Sequence, residues 1–215
     1  ASSTFMSCSL GSRLRLNNGK VSFDGRVLFL TEDPQSLRQE LAGEDLILSS
    51  DLRLRSDIST DEIIPVYRMY QFDDKLGAYV YEALCCSQEF PVQPGSIKDG
   101  GFVVSVSGCR RGKGSSREHA PLAEYHAGIR LIVAKSFERI YRDNCHNLGI
   151  FTSTDFGLIP RIQAGETIPF SQLVAGLDPI TADILRHRGL FAYALWRLGA
   201  DEMVAPVSSQ RPQTL

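Results

Sequence analysis

The residues with the clearest chemical potential form one short stretch, GCRRGKGSSREHAP, which runs from Gly108 to Pro121. It holds three glycines and four cationic side chains around two adjacent serines. Ser115 and Glu118 have the S-x-x-E spacing of a capping box, so the first amides of a following helix are predicted to point back at the glycine-rich loop. Those amides, the positive end of the helix dipole and the cations Lys113 and Arg117 would converge on one spot. The stretch therefore predicts a site for a phosphate or a carboxylate.

Two glycines, Gly112 and Gly114, support this interpretation because a backbone without Cβ atoms can approach an anion closely. The alternative, equally compatible with the spacing, is that Ser115 only caps a helix and that the cations are solvated. A nucleotide phosphate loop is a poor match, since Lys113 is followed by a glycine and not by a hydroxyl residue. The G-x-S-x-G turn of hydrolases is absent from this stretch. These residues alone leave open whether an anion is bound or transformed.

Strands and helices alternate around this stretch. The predicted elements are a strand at 100–108, a helix at 115–128, a strand at 129–135 and a helix at 136–149. Ser136 is the predicted cap of the second helix, and Gly128 and Gly149 are predicted to end the two helices. The second strand is apolar enough to be buried on both faces. This β-α-β-α order predicts an α/β fold with a parallel sheet.

The flanking segments give further predictions. Asn18-Gly19 predicts a hairpin turn within 16–30, and Pro34 at a first helical position predicts a helix that Gly43 ends. The others are a short helix at 73–86, a hairpin-like return at 159–170 and a helix that begins near Pro179.

Composition excludes several classes of protein. The net charge of −2 and the pI of about 6.1 argue against a general nucleic-acid binder, because the basic cluster at 110–117 is local. No apolar run approaches the ~18–20 residues of a membrane span, and the first residues lack the apolar centre of a secretory signal. The five cysteines include no C-x-x-C pair that would indicate a metal or cluster held by this chain alone. A reduced, cytoplasmic setting is the prediction.

A longer pattern indicates a family. GKGSSREHAPLAEYHAGIRLIVAKSFERIYRDNCHNLG, with DISTDEIIP about fifty residues earlier, resembles the swivel domain of the aconitase superfamily. The form it resembles is the separate small subunit of isopropylmalate dehydratases and homoaconitases, over 57–158 and more weakly to about 198. The resemblance implies an aconitase-like swivelling β/β/α domain at 56–200. A β-rich N-terminal extension at 1–55 and a mobile tail at 201–215 would flank it.

The same resemblance implies a hydro-lyase that removes and re-adds water on a hydroxy di- or tricarboxylate and is active only with a large subunit. That subunit, and not this chain, would carry a [4Fe-4S] cluster that holds the substrate hydroxyl and a carboxylate. Ser115 is then the base that takes the proton next to a carboxylate, while Ser116 and Arg117 bind substrate carboxylate. Asp61 also lies in the site. The chemistry agrees, because a helix N-terminus beside Arg117 and Lys113 would stabilise a serine alkoxide.

Specificity is expected in the loop after IIP, VYRMYQFDD at 66–74, where the family contacts the variable end of its substrate. This loop is more polar than an isopropyl group requires. Arg68 is therefore predicted to meet an additional carboxylate, with Tyr70 as the alternative residue at the discriminating position. A solvated surface arginine is the competing interpretation. In DISTDEIIP, Ser59 replaces a carboxylate that the family usually has.

The competing function is a non-catalytic anion-binding or regulatory module that keeps the swivel fold. The presence of Ser115, Ser116, Arg117 and Asp61 together favours the enzyme, because a binding module needs no base.

Overall fold

A four-stranded parallel sheet forms the centre of the protein. The structure is a computed structural model that describes residues 13–71 and 73–199. The strands are β1 (Leu14–Asn17), β2 (Lys20–Phe23), β3 (Arg26–Phe29), β4 (Phe102–Ser107), β5 (Leu131–Ala134), β6 (Phe151–Ser153) and β7 (Ile168–Pro169). The order in the central sheet is β3-β4-β5-β6, and all its pairs are parallel. Every residue of β4 and β5 is buried, as expected for strands covered on both faces.

Helices cover both faces of this sheet. They are α1 (Pro34–Leu41), α2 (Thr60–Ile63), α3 (Ser96–Asp99), α4 (His119–Ala127), α5 (Arg139–Asn147), α6 (Leu158–Gln163), α7 (Phe170–Leu173), α8 (Pro179–Arg186) and α9 (Leu190–Arg197). Two 3₁₀ helices span Val66–Arg68 and Asp74–Tyr79. Within the described ranges, no helix combines the length and the apolar character needed to cross a membrane.

Neighbouring strand residues enter different hydrophobic cores. Leu28 and Ile132 belong to a core with α1, α4 and α5, whereas Phe29 and Val133 belong to a core with α6, α7 and α8. This alternation follows from the two-residue period of a strand. The sheet is therefore the middle layer of an α/β arrangement, and the α/β class predicted from the sequence is confirmed.

Several local predictions are confirmed. Asn18 and Gly19 have φ values of 50° and 71°, which is the turn conformation that joins β1 to β2. The Asp33 side chain caps α1 at Pro34, and Gly43 follows the helix with a φ of 109°. Helix α8 begins at Pro179, as its sequence predicts.

Two predicted elements are wrong. Residues 73–86 form a 3₁₀ helix over Asp74–Tyr79 and then irregular chain, not an α-helix. The predicted return at 159–170 begins as helix α6, because Leu158, Ile159 and Ile162 form an apolar helical face that packs into the second core. Only Ile168–Pro169 of that segment is a strand, and it pairs with β2.

The predicted N-terminal extension contributes to both sheets. β3 pairs with β4 at the edge of the central sheet, and β1 and β2 form a second, antiparallel sheet with β7. Residues 13–55 thus share their cores with the rest of the protein. The boundary predicted at residue 55 stays a prediction, and the predicted tail at 201–215 lies outside the described residues.

A buried carboxyl group, Glu40, predicts a pH-dependent stability. Its Oε1 accepts a hydrogen bond from the Phe29 amide at 2.8 Å, and its Oε2 is buried with no hydrogen-bond partner. Burial raises the pKa of Glu40 to about 8. The folded protein then holds a proton that the unfolded chain has released, so stability falls as the pH rises from about 4.5 to about 8.

We expect the wild type to lose about 2–3 kcal/mol of unfolding free energy between pH 5.5 and 8.5 relative to Glu40→Gln, which stays neutral. Urea unfolding of both proteins at both pH values measures this difference. Equal changes in the two proteins would mean that Glu40 is ionised in the folded state at both pH values.

Candidate functional site

The two sequence motifs that carry the family resemblance lie against each other. The amides of Gly112 and Lys113 both donate to the Ile58 carbonyl, at 2.9 and 3.1 Å. In return, the Thr60 amide donates to the Lys113 carbonyl at 2.8 Å. The Thr60 hydroxyl donates to the Ser115 carbonyl at 3.2 Å. These bonds bring α2 and the loop before α4 together across more than fifty residues of chain.

An ion pair continues this contact. The Arg117 guanidinium donates through Nη1 to Oδ1 of Asp61, with Asp61 mostly exposed and Arg117 mostly covered. Because a guanidinium has five N–H donors, this pair leaves donors for a second carboxylate. The Lys113 backbone lies nearby, and its Nζ is 4.0 Å from Oδ1 of Asp57, which also forms an ion pair with Arg110. Asp61 and Arg117 are therefore in contact, and the backbone of Lys113 lies beside α2, but neither Asp61 nor Lys113 lines the cleft described next, and their roles stay predictions.

A cleft of about 420 Å³ opens between the loop and α5. One wall consists of Gly112 and Gly114–Arg117, next to Thr60. The other wall is the N-terminal part of α5, including Arg139, Tyr141 and Asp143. Of the predicted site residues, Gly114, Ser115, Ser116 and Arg117 line this cleft. Both serines are exposed residues.

The α5 wall was missed by sequence reasoning. Arg139 is 87% exposed, and its Nε lies 3.7 Å from Oδ2 of Asp143. A signal for it existed, because β4 and β5 are parallel neighbours whose carboxyl ends meet at one edge of the sheet. The loop after β4 and the start of the helix after β5 must therefore be close. This second cation gives the cleft two positive side chains, Arg117 and Arg139.

The predicted capping box at Ser115 is wrong. Helix α4 begins at His119, the residue at its N-cap position is Glu118, and no side chain caps it. The Ser115 carbonyl instead accepts from Thr60 and from the Arg117 amide, which holds the serine in a turn before the helix. The capping role of the Ser115 hydroxyl is therefore not used, so that hydroxyl is available for chemistry.

A capping box does occur at α2. Ser59 accepts from the Glu62 amide at 3.2 Å, and Glu62 accepts from the Ser59 amide at 3.0 Å. The residue that departs from the family pattern thus starts the helix that carries Asp61.

The predicted cap of α5 is also displaced. The helix begins at Arg139, three residues after Ser136. The Ser136 hydroxyl accepts from the Arg110 amide at 2.8 Å, and its carbonyl accepts from the Arg111 amide at 3.0 Å. Ser136 therefore does not cap α5. It attaches the glycine-rich loop to the segment that leads into this helix.

Arg68 has a partner within the chain. Its Nε and Nη2 donate to the two carboxylate oxygens of Glu82, at 2.7 and 3.1 Å, and its guanidinium lies 3.8 Å from the centroid of the Tyr79 ring. The bond to Glu82 raises the pKa of Arg68 further above its usual range. Neither Arg68 nor the exposed Tyr70 lines the cleft. Their substrate role stays a prediction, and the Arg68 side chain is held by Glu82 and Tyr79 and is not freely solvated.

The described residues do not fit a metal or cluster site. No group of three or more His, Cys, Asp or Glu side chains within the described ranges is arranged to hold an ion. The described cysteines are free: Cys85, Cys86, Cys109 and Cys145. Burial raises the pKa of Cys86 to about 11 and that of Cys145 well above its usual value, so both remain thiols, which are poor metal ligands. Cys8 lies outside the described residues.

Comparison with known proteins connects this geometry to a family. The Aconitase C-terminal domain family matches residues 88–154, which include the whole glycine-rich loop and all of α5. The crystal structure of a 3-isopropylmalate dehydratase from Methanocaldococcus jannaschii is similar with a TM-score of 0.50 and 25% identity. That similarity covers 70% of this chain and 93% of the other.

Two curated relatives are 3-isopropylmalate dehydratase small subunits. The one from Syntrophus aciditrophicus is 38% identical over 112 residues, which cover 52% of this chain and 65% of the relative, slightly less than two thirds. The one from Aquifex aeolicus is 30% identical over 163 residues, which cover 67% of this chain and 91% of the relative. With its parallel sheet and its cleft at Ser115–Arg117, this chain belongs to the family of 3-isopropylmalate dehydratase small subunits within the aconitase superfamily.

Proposed function

We propose that this chain is the small subunit of a two-subunit hydro-lyase that dehydrates and rehydrates a hydroxy di- or tricarboxylate of the isopropylmalate type. One observation carries the proposal: Ser115, Ser116 and Arg117 line a single cleft beside α2, with Asp61 paired to Arg117. The names of the relatives support the reaction class. A cytoplasmic setting stays a prediction.

Different residues of this chain bind the substrate carboxylate, transfer the proton and stabilise the base. Arg117 and the Ser116 hydroxyl bind the carboxylate next to the acidic C–H bond and so stabilise the charge that develops on that carboxylate. Ser115 Oγ takes the proton and returns it in the reverse reaction. Arg117 and Lys113 provide the positive field that a serine alkoxide requires. When bound in the large subunit, a [4Fe-4S] cluster would provide Lewis-acid chemistry for loss of the hydroxyl group.

A partner subunit is expected to complete the cleft. Both serines are exposed, so water reaches the proposed base freely in the isolated chain. Large apolar side chains are also exposed, on the cleft wall at Ile140 and in the specificity loop at Val66, Tyr67 and Tyr70. Apolar groups around a polar cleft are typical of a surface that another protein covers.

The test is reconstitution. We expect the purified chain to be colourless and inactive, and dehydratase activity to appear only when a cluster-bearing large subunit is added. A brown, cluster-containing preparation of this chain alone would overturn the assignment of the cluster to the partner. A chain that binds malate-type acids but stays inactive with large subunits of this family would support the non-catalytic alternative.

Specificity can be tested by a matched pair of arginine variants. Arg139 lines the cleft with only a distant partner, whereas Arg68 is held by Glu82. If Arg139 meets a second substrate carboxylate, Arg139→Ala removes a charge-assisted hydrogen bond of ~1.5–3 kcal/mol, or about tenfold or more in kcat/KM. Arg68→Ala is expected to change kcat/KM by less than about threefold.

Malate, citrate, homocitrate and isopropylmalate-type acids, assayed with the reconstituted complex, separate the possibilities. A loss in Arg68→Ala that is confined to acids with an added carboxylate would restore the sequence-based assignment of Arg68. A loss in neither variant would mean that the specificity residues belong to the partner.

A further inference from the structure

A fully buried ion pair lies directly beneath the candidate site. Arg111 and Glu124 have no exposed side-chain surface, and Nη2 of Arg111 donates to Oε1 of Glu124 at 2.5 Å. Three hydroxyls surround the pair. Tyr81 donates to Oε1 at 2.6 Å, Tyr141 donates to Oε2 at 2.5 Å, and Ser105 lies 3.2 Å from Arg111 Nη2. Every oxygen of the carboxylate is thus bound.

Stability alone does not explain this pair. Removing two charges from water is costly, and apolar replacements of buried ion pairs are often as stable or more stable. Arg111 is also incompletely satisfied, since its Nε and Nη1 are buried without hydrogen-bond partners. Tyr81 occupies the left-handed region with a φ of 62°, which is unfavourable for an aromatic residue. Unsatisfied donors and strain at one point indicate a role beyond packing.

The position of the pair suggests that role. Arg111 immediately precedes the loop wall of the cleft, which begins at Gly112, and Tyr141 belongs to the α5 wall. Glu124, on α4, contacts Arg111 with one oxygen and Tyr141 with the other. The backbone repeats the connection, because the Glu138 amide donates to the Arg111 carbonyl at 2.9 Å. Both walls of the cleft are therefore attached to one carboxylate below it.

We propose that the bridge Arg111–Glu124–Tyr141 is a positioning device that fixes the separation between the Ser115 loop and the α5 wall of the cleft. The proposal rests on the proposed function for its effect on turnover, but its structural effect does not depend on a partner. The proposed role requires no contact between these three residues and the substrate. They act by holding Ser115 and Arg117 at a set distance from Arg139.

A matched pair of variants tests it. Tyr141→Phe removes the hydroxyl that attaches the α5 wall to Glu124. Tyr81→Phe removes a hydroxyl that bonds Glu124, Arg111 and Ser105 but leaves the Arg111–Glu124 and Glu124–Tyr141 bonds in place, and Tyr81 does not line the cleft. Each variant loses one buried hydroxyl, and because that of Tyr81 bonds three polar side chains, Tyr81→Phe is expected to lower the melting temperature at least as much as Tyr141→Phe. A purely structural role would then loosen residues 112–117 at least as much in Tyr81→Phe as in Tyr141→Phe.

Two readouts distinguish positioning from packing. In the isolated full chain, Tyr141→Phe is expected to raise amide hydrogen exchange at 112–117 by about tenfold, and Tyr81→Phe by no more than about twofold. In the reconstituted complex, kcat/KM should fall by about tenfold in Tyr141→Phe only, mostly through kcat, because misplacement of the base affects the transition state. Should Tyr141→Phe not fold, Glu124→Gln is the second variant and is expected to loosen 112–117 in the same way.

Equal exchange at 112–117 in the two tyrosine variants, or no change in Tyr141→Phe, overturns the proposal. An inactive wild-type complex would instead contradict the proposed function, and the exchange measurement would still decide whether the bridge positions the loop.

Discussion

Ser115→Ala is expected to lower kcat of the reconstituted complex by about 10²–10⁴-fold, the contribution typical of a general base. The loss should fall on kcat with little change in KM, because the base acts in the transition state while Arg117 and Ser116 still bind the carboxylate. Folding should be unaffected, since Ser115 is exposed and caps no helix. Steady-state kinetics and urea unfolding measure these effects.

Two serine controls make the result specific. Ser116→Ala is expected to raise KM and to lower kcat much less than Ser115→Ala does, because this hydroxyl binds the carboxylate before the reaction and also stabilises the charge that develops on it. Ser171→Ala, an exposed serine on α7 and outside the cleft lining, should leave both constants unchanged. A loss confined to KM in Ser115→Ala would remove Ser115 from the role of base and leave it as a binding residue.

The sequence predicts the framework of this site well because the framework depends on local patterns. Buried strands such as β5 are continuous apolar runs, and Gly128 ends α4 with a φ of 106°. The meeting of DISTDEIIP with GKGSSR came from the family resemblance alone. No local pattern indicates that Ile58 and Gly112 share a hydrogen bond.

What the sequence could not predict depends on distant partners. The S-x-x-E spacing at Ser115 is compatible with a capping box, but the hydrogen bond from Thr60 holds the chain in another conformation. Arg111 and Glu124 are also invisible to pattern reasoning, because charged residues are almost never fully buried unless they are paired. Arg111 and Glu124 are 13 residues apart in sequence, and they become neighbours only when α4 packs on the sheet.

Gly112→Ala is expected to destabilise the fold by about 2–5 kcal/mol, which combines a strained backbone with overpacking. Gly112 has a φ of 83°, and an added Cβ would lie 2.1 Å from Cγ of Tyr141 and 2.4 Å from its Cβ. Tyr141 cannot move easily, because its hydroxyl is bound to Glu124 in the core. Glycine is therefore required at position 112 mainly because α5 lies against it. From the sequence alone, this glycine is attributed to the close approach of an anion.

Gly114→Ala is the matched comparison, because this residue also has a left-handed φ, 106°, but its added Cβ would meet only the Thr60 hydroxyl, at 3.6 Å. We expect about 1–2 kcal/mol of destabilisation from the backbone alone. Urea unfolding of the two variants measures the difference, which isolates the contact between the loop and α5. Equal losses of unfolding free energy in the two variants would mean that Tyr141 moves to accommodate the added methyl group. The two walls of the cleft would then be less tightly coupled than the packing of Gly112 against α5 indicates.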